Sequence, residues 1–187
     1  TVNTPNHTDY HYWSCFLFSL SLMFLLLSST LYHALFMISD ASHVLQILDH
    51  VGIYMLIAGS YSPVMLVAMY HCKQAQLLHV MHWILVFIGT TIASTQDLNA
   101  KIITVLEVVL FVIMGCSVFL IWPAVVAAVP ADCLRMILIE GAVYLTGIGF
   151  FAAGEHKPIF HVVWHVMVVI AATLHWFAVY FYIIHIE

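Results

Sequence analysis

Six long apolar stretches constrain the fold of this chain more than any other feature of its sequence. They cover residues 13–36, 44–70, 77–94, 102–122, 133–153 and 160–184, and short polar segments separate them. A helix needs about 20 mostly apolar residues to cross the hydrocarbon core of a bilayer. Because connections this short join antiparallel neighbours, we predict an all-α, polytopic integral membrane bundle. It would consist of one domain, residues 1–187, with six transmembrane helices.

The composition agrees with lipid as the solvent of this chain. Hydrophobic residues make up 64% of the sequence and charged residues 7%, whereas a soluble domain is about 45–50% apolar and about 25% charged. Nine acidic and four basic residues give a formal net charge of −5. A nucleic-acid-binding surface needs clustered lysine and arginine, so we expect no nucleic-acid partner.

The last apolar stretch carries three histidines, in the segment IFHVVWHVMVVIAATLHW at residues 159–176. An ionisable residue inside a membrane segment is costly and therefore suggests function. His161 and His165 are four residues apart, so both imidazoles lie on one helix face, and this spacing lets a helix bind zinc through two side chains. His175 lies about 20 Å from His161 along the helix. We predict that it hydrogen-bonds to a neighbouring helix.

Alternating membrane crossings bring distant polar residues to one depth. His33 lies about one turn before the end of the first apolar stretch, and Asp49 lies one or two turns into the second. His161 and His165 open the sixth stretch, which starts from the same membrane face. At a rise of 1.5 Å per residue, all four lie within roughly 10 Å of one another in depth. Ser29, four residues before His33, lies one turn deeper.

This set of side chains matches a catalytic zinc site. Such a site has three protein ligands and an open position for water, and His33, His161 and His165 supply the ligands. Asp49 is either a fourth ligand or, in the assignment we prefer, a hydrogen-bond partner of the bound water, with Ser29 supporting it. Zinc lowers the pKa of its water towards about 7, and a carboxylate can accept the proton. The pattern predicts hydrolysis of an amide or ester whose apolar tail lies in the bilayer.

Structural roles for these residues remain open alternatives. A single membrane histidine often only hydrogen-bonds to a neighbouring helix, and the HxxxH spacing alone is weak evidence. Glu107 either approaches the proposed centre, reaches the interface or stays protonated. Glu140, with Arg135 nearer the interface, is expected to make a structural contact. Pro63 is expected to kink the second helix, because proline cannot donate the helical hydrogen bond.

Three motifs resemble the haemolysin III-related proteins: SSTLYHALF, LDHVGIYMLIAGSYSPVML and HVVWHVMVVIAATLHWFAVYFY. These proteins are grouped with the adiponectin and progestin receptors and are more distantly similar to the alkaline ceramidases. The resemblance implies a seven-helix membrane fold with a zinc site near the cytoplasmic side. It carries the three zinc ligands onto His33, His161 and His165, the aspartate beside the metal water onto Asp49, and the family's serine onto Ser29. The family's helix before the SxxxH helix has no counterpart in this chain, whose residues 1–12 resemble the loop that follows it.

Four functions fit this pattern to different degrees. We favour a zinc-dependent hydrolase of membrane lipids, with a ceramide-like or other acyl lipid as substrate. A membrane receptor or sensor with a structural zinc is the main alternative. Haemolytic activity by pore formation would need an amphipathic segment or a polar stripe along a helix, and the sequence shows neither. Haem binding would need two facing histidines on separate helices. The basic residues are divided evenly between the two faces, so charge does not set the orientation.

Overall fold

The computed structural model describes residues 7–35, 42–95, 100–154 and 157–184, and the regular secondary structure in these ranges is helical. The helices are α1 (His7–Leu35), α2 (Ser42–Pro63), α3 (Lys73–Ala93), α4 (Ala100–Cys116), α5 (Trp122–Ala128), α6 (Ala131–Gly154) and α7 (Pro158–Ala178). Six helical stretches of the described residues are long and apolar enough to cross a membrane. The prediction of an all-α, polytopic membrane protein is confirmed.

Several helix ends differ from their predicted positions. α1 and α3 begin six and four residues earlier than expected, at His7 and Lys73; the predicted end of the first helix, Phe36, lies outside the described residues. The segment PAVVAAVPAD, residues 123–132, was expected to be a break but contains all of α5 except its first residue, Trp122. Pro123 is the second residue of this helix, where a missing backbone N–H breaks no helical hydrogen bond.

Three helices change their winding within the apolar stretches. α2 continues after Pro63 as a π-helical turn, Val64–Ala68, and α7 continues as a second π-helical turn, Val179–Ile183. α4 continues as the 3₁₀ segment Ser117–Ile121, which leads into α5. Because proline lacks the N–H for the normal helical bond, the change at Pro63 falls where the sequence predicts an irregularity.

The chain divides into two compact units, Thr1–Ile121 and Trp122–Glu187. The first contains α1 to α4 and the second contains α5 to α7. The single-domain organisation stays a prediction.

In the first unit, α1 and α2 pack closely through small residues spaced seven apart: Ser21 and Ser28 on α1, and Gly52 and Gly59 on α2. A Cβ added at Gly59 would lie 2.4 Å from the Ser21 hydroxyl oxygen, and one at Gly52 would lie 2.9 Å from the Leu25 Cα. The Ser21 hydroxyl donates to the Leu17 carbonyl 2.7 Å away within its own helix. Small residues let membrane helices approach each other closely, and here they set the register of the two helices.

In the second unit, α6 contacts α7 near both of its ends. A Cβ added at Gly154 would lie 3.2 Å from the backbone nitrogen of His161, near the start of α7. Towards the other end, His175 Nδ1 lies 2.8 Å from Glu140 Oε1, and both residues are buried. The predicted role of His175 as an interhelical hydrogen-bonding residue is therefore confirmed. Arg135 instead pairs with the exposed Asp132 at 2.9 Å.

Candidate metal centre

The first unit brings His33 and Asp49 together. His33 Nε2 lies 3.9 Å from Asp49 Oδ2, with the side chains 40% and 6% exposed, respectively. Asp49 precedes Gly52 by one turn of α2, and Gly52 contacts Leu25 and Ser28 of α1. The close packing of these helices therefore places the start of α2 beside the end of α1.

The two oxygens of the Asp49 carboxylate have different surroundings. The Ser29 side chain hydrogen-bonds to this carboxylate. Asp49 Oδ1 is buried and finds no hydrogen-bond partner among the described residues. Because nearly all buried polar groups in proteins are hydrogen-bonded, an oxygen in this position is suited to a bound ion or to the water that the ion carries.

The second unit presents His161 and His165 on one face of α7. Their ring centroids lie 4.6 Å apart, and both side chains are half-buried. The Phe151 ring packs against His161 and against Trp164, with centroid distances of 5.9 and 5.5 Å. The predicted i, i+4 arrangement is confirmed, and the aromatic ring of α6 restricts where the His161 ring can turn.

Each unit presents one part of the predicted ligand set. The first unit holds His33 beside the buried Asp49 carboxylate, and the second holds His161 and His165 on one face of α7. All four residues are of types that bind metal ions, and imidazole nitrogens suit zinc well. The chemistry of these residues therefore fits zinc; that the two parts bind one ion stays a prediction.

One buried pair was not found by sequence reasoning. His50 Nδ1 lies 2.8 Å from Glu107 Oε2, and the Glu107 side chain is fully buried. The sequence left three outcomes open for Glu107, and its buried side chain pairs with His50, the residue that directly follows Asp49. Each residue lies seven or eight positions into its helix, and this equal depth was the signal available in the sequence.

Comparisons with known proteins agree with the resemblance of the motifs. The family described as "Haemolysin-III related" matches residues 1–176. The Hemolysin-3 homolog of Bacillus subtilis (strain 168) is 27% identical over 170 residues, which are 91% of this chain and 77% of that protein. Hemolysin-3 of Bacillus cereus is 29% identical, with coverages of 89% and 74%. The human monocyte to macrophage differentiation factor is 26% identical, with coverages of 90% and 66%. The chain therefore belongs to the haemolysin-III related family of multi-pass membrane proteins.

Proposed function

We propose that this protein is a zinc-dependent membrane hydrolase that cleaves an amide or ester bond of a lipid. The observation that carries the proposal is that His33 lies beside the buried Asp49 carboxylate in the first unit, while the second unit holds His161 and His165 on one helix face. Zinc held by three histidines with a carboxylate beside it is a common arrangement for activating water in hydrolysis.

Each side chain of the proposed site would have a separate role in hydrolysis. His33, His161 and His165 would hold the ion through ring nitrogens. A zinc ion bound there would supply Lewis acidity and would lower the pKa of water at the site towards about 7. Asp49 would accept the proton of the attacking water at Oδ1 and return it to the leaving amine or alcohol. The hydrogen bond from Ser29 would keep the carboxylate turned in the required direction.

A lipid substrate fits the surroundings of His33. This side chain is 40% exposed, and the exposed residues near it on α1 include Leu27 and Leu31. α1 is one of the stretches apolar enough to cross a membrane, so its exposed leucines would face acyl chains. A lipid lying along α1 could bring its headgroup linkage to His33 while its tail stays in hydrocarbon. Following the family resemblance, we place this end of α1 on the cytoplasmic side.

Asp49→Asn tests the proposal most directly. The asparagine keeps the shape of the side chain but accepts a proton poorly. We expect detergent-purified variant protein to retain stoichiometric zinc in elemental analysis and to hydrolyse labelled ceramide and ester lipids about 10²- to 10⁴-fold more slowly than the unaltered protein, the usual contribution of general base catalysis. Asp132→Asn makes the same chemical change at an exposed acid and should leave turnover unaltered.

The outcomes separate the enzyme from a receptor. If protein with a full complement of zinc cleaves none of a broad panel of amide and ester lipids, the hydrolase proposal is wrong. A receptor or sensor with a structural zinc then becomes the better interpretation. If zinc is absent and turnover persists, the metal assignment fails instead.

Membrane damage is a second candidate function, favoured by the names of the two Bacillus relatives, Hemolysin-3 homolog and Hemolysin-3. Dye release from liposomes reconstituted with the protein measures it. Under the hydrolase proposal, vesicles made of lipids that the protein does not cleave should stay sealed. Dye release from such vesicles in proportion to the amount of protein would favour membrane damage.

A further inference from the structure

A second polar site lies inside the first unit, among α2, α3 and α4. Its base is the pair formed by His50 and Glu107, in which His50 Nδ1 and Glu107 Oε2 are 2.8 Å apart. Tyr54 follows His50 by one turn of α2. Tyr54 and Glu107 are both fully buried, with no exposed surface.

Two polar atoms of this site have no hydrogen-bond partner among the described residues: the Tyr54 hydroxyl and Glu107 Oε1. A phenol donates a hydrogen bond and a carboxylate accepts one, so the two groups are complementary although they do not bond to each other. Buried polar groups in a membrane protein have to be satisfied internally, because hydrocarbon offers no partner. A small molecule that both accepts and donates would satisfy both.

The walls of the site are closed by packing. The rings of Tyr54 and Phe111 have centroids 4.6 Å apart, and Phe111 follows Glu107 by one turn of α4. On α3, a Cβ added at Gly89 would lie 2.5 Å from the Tyr54 Cζ atom. The missing side chain of Gly89 therefore makes room for the hydroxyl end of the tyrosine, which lies against the backbone of α3.

We propose that this site binds a water molecule that links Tyr54 to Glu107. The water accepts a hydrogen bond from the Tyr54 hydroxyl and donates one to Glu107 Oε1. Buried waters in proteins typically make about three hydrogen bonds to polar groups that are otherwise unsatisfied. A calcium ion needs six to eight oxygen ligands, and Tyr54 and Glu107 supply at most three, so water is the better match.

The proposed water would hold α2 and α4 together beside the candidate metal centre. His50 directly follows Asp49, so a fixed Glu107 carboxylate keeps the turn of α2 that carries both residues in place. The proposal does not depend on zinc or on hydrolysis, because it rests on atoms outside the metal-ligand group.

X-ray radiolytic footprinting of the full chain in detergent tests the proposal. A brief pulse produces hydroxyl radicals from water, including bound water, and these radicals oxidise adjacent side chains. We expect Tyr54 to be oxidised although it is buried. Immediately after mixing with water that carries a heavy oxygen isotope, Tyr54 should still incorporate ordinary oxygen from its slowly exchanging water. Tyr12, which is 64% exposed, should incorporate the heavy isotope at once.

Glu107→Leu provides the matched control, because it removes one partner of the proposed water and leaves Tyr54 in place. The oxidation of Tyr54 should fall severalfold in this variant, while that of the exposed Tyr12 stays the same. Absence of oxidation at Tyr54 in the unaltered protein, or immediate uptake of the heavy isotope there, would overturn the proposal. If the variant does not fold, the comparison of isotope uptake at Tyr54 and Tyr12 in the unaltered protein decides alone.

Discussion

Replacing Gly52 with alanine tests whether the close packing of α1 and α2 sets the geometry of His33 and Asp49. The new Cβ would lie 2.9 Å from the Leu25 Cα and from the Leu25 Cδ1, and 3.1 Å from the Ser28 hydroxyl oxygen. The Cδ1 atom can rotate away, but the Cα atom moves only with the backbone. Because ordinary Cβ contacts begin near 3.4 Å, the helices have to separate by about 0.5 Å, a small overpacking of the kind that costs about 1–3 kcal/mol.

Gly52 lies one turn from Asp49, so separating the helices changes the position of His33 relative to Asp49. In the unaltered protein, His33 Nε2 and Asp49 Oδ2 are 3.9 Å apart. Metal–ligand distances tolerate deviations of about 0.2 Å, so a shift of about 0.5 Å exceeds what the site absorbs without strain. We expect the Kd for zinc to rise about tenfold, which corresponds to about 1.4 kcal/mol. The free energy of unfolding should fall by a similar amount or more.

Zinc affinity is measured by competition with a chelator in detergent micelles, and stability by reversible unfolding of the same samples. Gly141→Ala is the matched control, since an added Cβ there meets nothing within 4 Å. It should leave zinc affinity unaltered. If Gly52→Ala binds zinc as tightly as the control, the packing of α1 against α2 does not determine the metal geometry, and the reasoning is refuted.

Three further predictions follow from the site and from the packing of the helices. Replacing any one of the proposed ligands, His33, His161 or His165, with alanine should abolish stoichiometric zinc in elemental analysis. The control variant His71→Ala, at an exposed histidine, should retain zinc. Glu140→Leu should lower the free energy of unfolding by about 3 kcal/mol, because it removes the acid from a buried pair, and the double variant Glu140→Leu/His175→Leu should recover most of this loss in the same unfolding assay. Tyr61→Phe should cost about 1 kcal/mol, the usual net contribution of one hydrogen bond, and a loss of less than a few tenths would show that the bond to the Gly115 carbonyl contributes little.

The sequence predicts the membrane spans well because length and apolarity are sufficient for that purpose. It predicts that His161 and His165 share a face because helix periodicity alone determines it. It does not predict that His50 pairs with Glu107. That pairing depends on how α2 and α4 are rotated about their own axes. In a membrane protein the lipid-facing and the protein-facing sides are both apolar, so hydrophobic periodicity carries little information on rotation.

The helix α5 was missed for a different reason. Residues 123–132 were predicted to be a break between the fourth and fifth apolar stretches, and they contain Pro123 and Pro130. Pro123 lies in the first turn of α5 and Pro130 follows its last residue, Ala128, by two positions. These are the positions at which proline marks the start and the end of a helix. The spacing of the two prolines, rather than their number, was the informative signal.

The distances in three acid–histidine pairs indicate which of them suits a metal without reference to any relative. In the pairs His50–Glu107 and His175–Glu140 the nitrogen and oxygen are 2.8 Å apart, the length of a direct, charge-assisted hydrogen bond. In the pair His33–Asp49 they are 3.9 Å apart, too far for such a bond. Two ligands of one zinc ion are separated by about 3.3 Å, which lies between these values. The two short pairs are direct hydrogen bonds that join helices, whereas His33 and Asp49 do not bond directly, so each can turn towards an ion or the water that it carries.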